Sequence, residues 1–207
     1  MRVANNPSSS ANRLYVQKGI AKAFTAKLVE KVQALQMGNG LKASTTQGPL
    51  VNKSAVNKVE AHVRDATSKG AKVETGGSAP EGNPGFFFTP TVLSGVTEDA
   101  MVSKDETFGP LAPVFEFDTE ADAIRLANDT EFGLAGYFFS KDVGRIMRVA
   151  NKLKVGMVGA NTGKISAAEA PFGGVKESGY GKEGSLYGLA EYQNIKSVTI
   201  GNLNTGQ

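Results

Sequence analysis

The chain has 207 residues, of which 40% are hydrophobic and 21% are charged, a balance typical of a globular protein. Its net charge of +3 is modest and the charges alternate in sign, so we expect no nucleic-acid partner. The sequence contains no Cys, which excludes disulfides, thiolate metal sites and thiol catalysis.

The sequence also bears on location. No apolar run reaches the ~20 residues that span a bilayer, and the N-terminus has no apolar signal region. We therefore expect an intracellular, cytoplasmic protein with no membrane partner, and a mitochondrial location as the alternative. The single histidine, His62, excludes a His-rich metal site, and we expect no bound metal.

The first half of the chain alternates strand-like and helical patterns. Its predicted elements are residues 14–16 (strand), 20–37 (helix), 52–68 (helix), 71–74 (strand) and 86–96 (extended). Asn52 is a favourable N-cap for the second helix. His62 lies within this amphipathic helix, and we expect it to be a surface or half-buried residue.

The second half continues the alternation. Its predicted elements are residues 111–117 (strand), a helix capped by Thr119, then 136–140 (strand), 142–153 (helix), 155–160 (strand), 183–189 (helix) and 192–200 (strand). This order predicts an α/β fold with a largely parallel sheet flanked by helices on both faces. Residues 192–200 alternate polar and apolar side chains at the end of the fold. Such a strand exposes unpaired backbone groups that a partner chain would satisfy.

Several long motifs occur in a fixed order along the chain. They are residues 11–17 (Ala-Asn-Arg-Leu-Tyr-Val-Gln), 46–50 (Thr-Gln-Gly-Pro-Leu), 106–110 (Glu-Thr-Phe-Gly-Pro), 133–137 (Gly-Leu-Ala-Gly-Tyr) and 171–184, which is glycine-rich. Together they resemble the C-terminal half of the aldehyde dehydrogenase superfamily, most closely the succinate-semialdehyde dehydrogenases. The resemblance implies a catalytic domain over residues 1–185 without the N-terminal NAD-binding domain. It also implies an oligomerisation strand and tail over residues 186–207.

The resemblance places a serine at the nucleophile. The matched position of the family's catalytic cysteine is Ser8, and a second cysteine of the same tract falls on Ser10. A hydroxyl needs a positioned base during attack, and the family's base glutamate lies upstream of Met1. We therefore expect this stretch to be a flexible terminal cap. The alternative is that Ser8 acts as a slow, esterase-like nucleophile.

The resemblance also implies a cofactor site for NAD or NADP. Glu106 would hold the nicotinamide ribose hydroxyls, since a carboxylate can accept two charge-assisted hydrogen bonds. Phe108 would pack beside the nicotinamide ring. The alternative is a purely structural turn, because Gly109 and Pro110 alone would fix one. Without the rest of the cofactor site, we expect this chain alone to bind little NAD or NADP.

Two further residues match the substrate site of the family. Arg2 and Ser166 are the positions that would bind the distal carboxylate of a small aldehyde, and arginine suits a carboxylate geometrically. The alternatives are an exposed terminal arginine and a loop hydroxyl that bonds its own backbone. The glycines of residues 171–181 do not have the spacing of a phosphate-binding loop, so we expect them to permit unusual backbone angles and close packing.

Two interpretations of function follow. The first is a fragment of an NAD(P)-dependent aldehyde dehydrogenase that is inactive alone, because the nucleophilic cysteine, the base glutamate and the Rossmann domain are missing. The alternative is a pseudoenzyme that acts as an interaction module. It would form a homo-oligomer, or pair with a full-length paralogue, through residues 192–200.

Overall fold

A computed structural model describes residues 10–82 and 85–201 of the chain. Strands and helices alternate through the first two thirds, and the glycine-rich C-terminal part has little regular structure. The elements are β1 (Leu14–Gln17), α1 (Lys18–Gln33), α2 (Lys53–Ser68), β2 (Lys72–Thr75), β3 (Thr91–Ser94), α3 (Met101–Lys104), β4 (Leu111–Phe117), α4 (Glu120–Asn128), β5 (Phe132–Gly133), β6 (Ala135–Phe138), α5 (Val143–Lys152), β7 (Met157–Ala160), β8 (Val175–Lys176) and a 3₁₀ helix (Tyr187–Tyr192).

The main sheet has four strands in the order β1-β4-β3-β2. β1 and β3 both run parallel to β4, with Leu14 opposite Val114 and Thr91 opposite Leu111. β2 is antiparallel to β3 at one edge. Two smaller sheets follow, a parallel pair of β6 with β7 and an antiparallel pair of β5 with β8. The prediction of an α/β fold with a largely parallel sheet is therefore confirmed.

Strand β4 is buried on both faces of the main sheet. Leu111 and Phe115 point into one core, where α2 packs. Ala112 and Val114 point into a second core, where α1 packs. Successive side chains of a strand face opposite sides, so one apolar run supplies both cores. Helices thus cover both faces of the sheet, as the sequence predicts.

The predicted helix caps are present. The Asn52 side chain accepts a hydrogen bond from the Ala55 amide at 2.9 Å, at the start of α2. At the start of α4, the Asp122 amide donates to the Thr119 hydroxyl at 3.2 Å, and the Asp122 carboxylate accepts from the Thr119 amide at 3.0 Å. A capping box therefore forms although aspartate replaces the usual Glu or Gln.

Two predicted elements show the clearest differences from the boundaries that the sequence suggests. Helix α1 ends at Gln33 and not at residue 37. The chain leaves the helix because the Gly38 amide donates to the Gln47 carbonyl at 3.1 Å and the Thr46 amide donates to the Gln36 carbonyl at 2.9 Å. Of the extended residues 86–96, only Thr91–Ser94 form a strand.

The C-terminal part also differs from its predicted structure. The predicted helix over 183–189 is wrong, because Glu183 pairs with Phe172 through both backbone groups and Ser185 has φ of 54°. A 3₁₀ helix begins only at Tyr187. Residues 193–201 form no strand with any other part of the described chain. The pairing of this segment with a partner chain stays a prediction.

Candidate functional site

Residues 105–110 join α3 to β4 and are called the 105–110 turn. This turn contains the two predicted cofactor residues. Glu106 is half-buried, Thr107 is buried and Phe108 is 47% exposed. The end of the turn is fixed to the sheet, since the Thr91 amide donates to the Pro110 carbonyl at 2.8 Å. A partly shielded carboxylate and an accessible aromatic ring therefore lie two residues apart on an anchored turn.

Asn12 clamps this turn from the segment before β1. Its side-chain oxygen accepts a hydrogen bond from the Thr107 amide at 2.9 Å, and its amide nitrogen donates to the Asp105 carbonyl at 3.2 Å. One side chain thereby satisfies two backbone groups of the turn, which is the role that a strand partner would otherwise take. Asn12 lies within one of the family motifs, but nothing in the sequence shows that it contacts residues so far away.

His62 of helix α2 contacts the same turn from the side of the protein core. Its side chain is 1% exposed, so the expectation of a surface or half-buried residue is wrong. The ring Nδ1 lies 3.0 Å from the Thr107 hydroxyl oxygen. His62 follows the buried Val59 by three residues and precedes the buried Ala66 by four, which places it on the inner face of α2. This helical spacing was the signal that could have identified it.

Gly109 allows the turn to lie directly on α2. A methyl group at this position would collide with Val59 Cγ2. The close approach therefore requires glycine at this point of the motif.

Phe108 has a backbone conformation that side chains rarely adopt. Its φ of 46° lies in the left-handed region, where a Cβ atom crowds the following carbonyl. Such a conformation costs about 1–3 kcal/mol and persists only where the surroundings determine it. Here the Asn12 clamp, the His62 contact and the Gly109 packing impose it. Strain of this kind concentrates at binding and catalytic sites.

The carboxyl group of Glu106 is electrostatically unusual. Partial burial raises its pKa above the usual range, and the Lys58 cation opposes that rise. The carboxylate is therefore poorly hydrated, and hydroxyl donors from a ligand would stabilise its ionised form.

The glycine-rich segment over 171–181 packs as the sequence predicts. A methyl group at Gly156 would collide with the Gly173 carbonyl oxygen, and Gly181 has φ of 82°. Lys182 Nζ, just after the segment, also donates to the Gly174 carbonyl at 3.0 Å. These contacts support a structural role for its glycines.

The other predicted site residues are not joined to the turn. Ser166 is exposed on the loop between β7 and β8, and no hydrogen bond in the described part of the chain links it to the 105–110 turn. Ser8 and Arg2 lie outside the described residues. The roles of Ser8, Arg2 and Ser166 therefore stay predictions.

A separate open cleft of about 460 Å³ lies beside the turn. Its lining residues are Lys104, Asp105, Asn128, Asp129, Thr130 and Glu131. Lys104 and Asp129 form an ion pair of 2.7 Å there. Small-molecule sites are mostly apolar with a few placed polar groups, so this polar, open cleft is a weaker candidate than the turn.

Two further kinds of feature are absent from residues 10–82 and 85–201. None of the helices there has the length and apolarity needed to cross a bilayer. Those residues also bring together no group of three or more His, Cys, Asp or Glu side chains that could hold a metal ion.

The protein is therefore of the α/β class, and its 105–110 turn presents the carboxylate of Glu106 and the aromatic ring of Phe108. The family model of the aldehyde dehydrogenases matches residues 6–198, nearly the whole sequence. The chain therefore belongs to the aldehyde dehydrogenase family.

Several of the similar proteins are semialdehyde dehydrogenases. Glutarate-semialdehyde dehydrogenase of Pseudomonas aeruginosa is 56% identical over 193 residues, which are 93% of this chain and 40% of that protein. The NADP(+) succinate-semialdehyde dehydrogenase of Escherichia coli is 53% identical over 97% of this chain and 41% of its own length. This chain thus spans about two fifths of the length of these relatives.

Solved structures agree with this assignment. The succinate-semialdehyde dehydrogenase of Burkholderia pseudomallei superimposes with a TM-score of 0.86 and 53% identity, over 88% of this chain and 38% of that one. The betaine aldehyde dehydrogenase of Staphylococcus aureus in complex with NAD+ gives a TM-score of 0.82 and 41% identity, over 87% and 37%.

The strain at Phe108 can be measured with a matched pair of variants. Phe108→Gly and Phe108→Ala both remove the ring, but only glycine adopts a positive φ without strain. We expect the glycine variant to be more stable than the alanine variant by about 1 kcal/mol, the reverse of their usual order. Urea unfolding of the two variants measures the difference. An alanine variant as stable as the glycine variant would show that the turn carries no strain.

Proposed function

We propose that this chain forms the part of a semialdehyde dehydrogenase that contacts the nicotinamide end of NAD or NADP. In this proposal Glu106 accepts hydrogen bonds from the ribose hydroxyls and Phe108 packs beside the nicotinamide. The anchored 105–110 turn is the observation that carries it, because it presents a carboxylate and an exposed ring two residues apart on a strained backbone. The similarity to enzymes named for NADP(+) and solved with NAD+ supports this cofactor class.

The chemistry of Glu106 suits a ribose. A hydrogen bond to an ionised group contributes about 1.5–3 kcal/mol, more than a neutral one. Partial burial leaves the Glu106 carboxylate short of water. Two neighbouring hydroxyl groups of one sugar can replace that water without bringing a charge into the site.

The substrate that this proposal favours is a small aldehyde with a distal carboxylate. Succinate- and glutarate-semialdehyde dehydrogenases are among the relatives with more than half of their matched residues identical. Arg2 and Ser166 are the residues proposed to bind that carboxylate. Arginine can hold a carboxylate with two parallel hydrogen bonds, and a serine hydroxyl can donate a third.

We also propose that the chain does not oxidise aldehydes by itself. The reaction needs a thiolate, and the 207 residues contain no cysteine. Ser8 stands at the proposed nucleophile position. A hydroxyl is far less acidic than a thiol, so it is not ionised by the means that activate a cysteine.

Aldehyde oxidation tests this proposal directly. We expect no NADH or NADPH, followed by absorbance, when the purified chain is mixed with succinic semialdehyde and NAD or NADP, because the nucleophile is missing. Product from the unmodified chain would contradict the proposed inactivity. Ser8→Cys supplies a thiol at the matched position, and Ser9→Cys is its control. Aldehyde oxidation by Ser8→Cys but not by Ser9→Cys would identify position 8 as the nucleophile position. If neither variant oxidises the aldehyde, the missing thiol is not the only cause of the inactivity.

The role of Glu106 predicts a pH dependence for dinucleotide binding. Only the ionised carboxylate accepts both hydroxyls, and burial raises its pKa above that of an ordinary glutamate. The affinity for the dinucleotide should therefore be greatest at pH values well above the raised pKa of Glu106, and it should fall as the pH drops through that pKa. NADH titrations followed by fluorescence measure this.

Two variants sharpen that titration. Glu106→Gln keeps the shape but not the charge, and we expect about tenfold or greater loss of affinity at neutral pH. The loss of affinity in acid should also become shallower in this variant. Glu177→Gln, at an exposed glutamate of the glycine-rich segment, is the control. Equal binding by Glu106→Gln and the unmodified chain would remove Glu106 from the cofactor site.

A second function is favoured by the exposed apolar residues near the C-terminus. Seven large apolar side chains are more than half exposed there, namely Leu186, Tyr187, Leu189, Tyr192, Ile195, Val198 and Ile200. Residues 193–201 also have no strand partner in the described chain. We propose that residues 186–207 are an oligomerisation segment, in which the residues from 193 to 200, after the 3₁₀ helix that includes Tyr192, add as a strand to the sheet of another copy or of a paralogue. Residues 1–185 would then be the catalytic domain.

Self-association tests this second function. We expect the chain to form dimers or larger species in sedimentation equilibrium. The double variant Ile195→Lys with Val198→Lys should shift it toward the monomer, because charge opposes burial of those positions. Leu41→Lys, at a side chain that is also highly exposed, is the control. A strictly monomeric unmodified chain would count against self-pairing.

A further inference from the structure

His62 is a buried titratable group whose position under the 105–110 turn the dehydrogenase chemistry does not explain. It is the only histidine of the chain. Its Nδ1 lies 3.0 Å from the Thr107 hydroxyl oxygen, whereas Nε2 has no hydrogen-bond partner among the described residues. Burying a polar ring with one nitrogen unsatisfied costs free energy. An apolar residue at this inner-face position would avoid that cost.

The contact acts on the residue between the two cofactor residues. Thr107 is held by its backbone amide, which donates to Asn12 Oδ1, and by its hydroxyl, which contacts His62. Because the peptide units are planar, fixing Thr107 at two points constrains the directions of both neighbours. Those neighbours are Glu106 and Phe108.

We propose that His62 is a positioning residue that sets Glu106 and Phe108 for the dinucleotide through Thr107, so that protonation of His62 and dinucleotide binding oppose each other. This inference rests on the proposed cofactor role of the turn.

The charge state of His62 follows from its surroundings. Burial lowers its pKa, the Lys58 cation lowers it further, and Asp105 and Asp65 raise it by smaller amounts. The ring is therefore neutral at neutral pH. Lys58 and Asp65 lie on α2 itself, whereas Asp105 faces the ring from the turn.

Protonation would change the contact with Thr107. A neutral ring can accept from the threonine hydroxyl or donate to it, depending on the tautomer. An imidazolium can only donate from both nitrogens, and its Nε2 proton would then lie buried without an acceptor. As the pH falls through the lowered pKa, movement of the ring toward water becomes favourable, and Thr107 loses one of its two anchors.

Thermodynamic linkage relates the effect of His62 protonation on dinucleotide binding to a measurable change in the pKa of His62. If protonation weakens dinucleotide binding, then binding must lower the pKa of His62 by the corresponding amount. Each pH unit by which the midpoint falls corresponds to about tenfold weaker binding by the protonated chain.

The single histidine gives one ring signal, so its midpoint can be compared directly with that of the neighbouring Glu106 carboxyl, whose pKa is raised. NMR spectra of the ¹⁵N-labelled full chain follow the His62 ring and the amides of Thr107 and Phe108 across the acidic pH range. We expect both amide signals to show a step at the midpoint of the ring, in addition to any step at the midpoint of the Glu106 carboxyl. Amides that do not move while the ring titrates would overturn the proposal. This measurement needs no variant, so it holds even if a variant does not fold.

Two variants separate positioning from ordinary core packing. Thr107→Val keeps the shape and removes the hydroxyl, and we expect the Phe108 amide to stop following the His62 titration. Thr107→Ser keeps the hydroxyl and should restore the coupling. Thr25→Val, at a buried threonine of α1, should leave the coupling unchanged. Coupling that survives in Thr107→Val would overturn the proposal.

Adding NAD distinguishes this inference from the cofactor proposal on which it rests. With NAD present we expect shifts at Glu106 and Phe108 and a lower His62 midpoint in the unmodified chain, and no change of midpoint in Thr107→Val. Shifts at the turn without a change in the His62 midpoint would overturn this inference alone. An absence of any NAD-dependent shift at the turn, at NAD concentrations up to its solubility, would overturn the cofactor role and this inference with it.

Discussion

The structure depends on the burial of β4 on both faces. The strand is paired on both sides as well, with β1 at one edge and β3 at the other, so its position is fixed in every direction. Its alternating side chains supply two separate cores, one under each helix layer. The turn that leads into β4 therefore has its end point set by the most constrained strand of the protein. A site built there has a rigid support, which a precise binding geometry requires.

The same arrangement explains how a strained residue is tolerated. Phe108 alone would relax to a common backbone conformation, but the strand after it and the two contacts to Thr107 prevent this. Gly109 also packs against Val59, which belongs to the core between α2 and the sheet. Fold stability and site geometry are for this reason coupled in this chain.

Local patterns in the sequence predicted the regular part of the fold well. The caps at Asn52 and Thr119 and the strand over residues 111–117 depend on neighbours within a few residues, and all three are confirmed. The predicted end of α1 and the predicted helix after Glu183 are wrong, because backbone hydrogen bonds between residues about ten positions apart decide the structure there. The site divides in the same way. The motif nominates Glu106 and Phe108 as cofactor residues, which stays a prediction, whereas Asn12 and His62 join the turn through contacts across 95 and 45 residues of chain.

The register of β1 with β4 has a consequence for the order in which the protein assembles. Leu14 pairs with Val114, so this contact closes a loop of about one hundred residues, whereas β3 and β4 are close neighbours along the chain. Closing the longer loop costs more conformational entropy. The pairing of β1 with β4 offsets that cost only after β3 and β4 have paired. Docking of β1 is thus expected as a late event, with α2 and the central strands already in place. Because Asn12 arrives with β1, the turn acquires its second anchor only at that final step, and partly folded chains would lack a finished site.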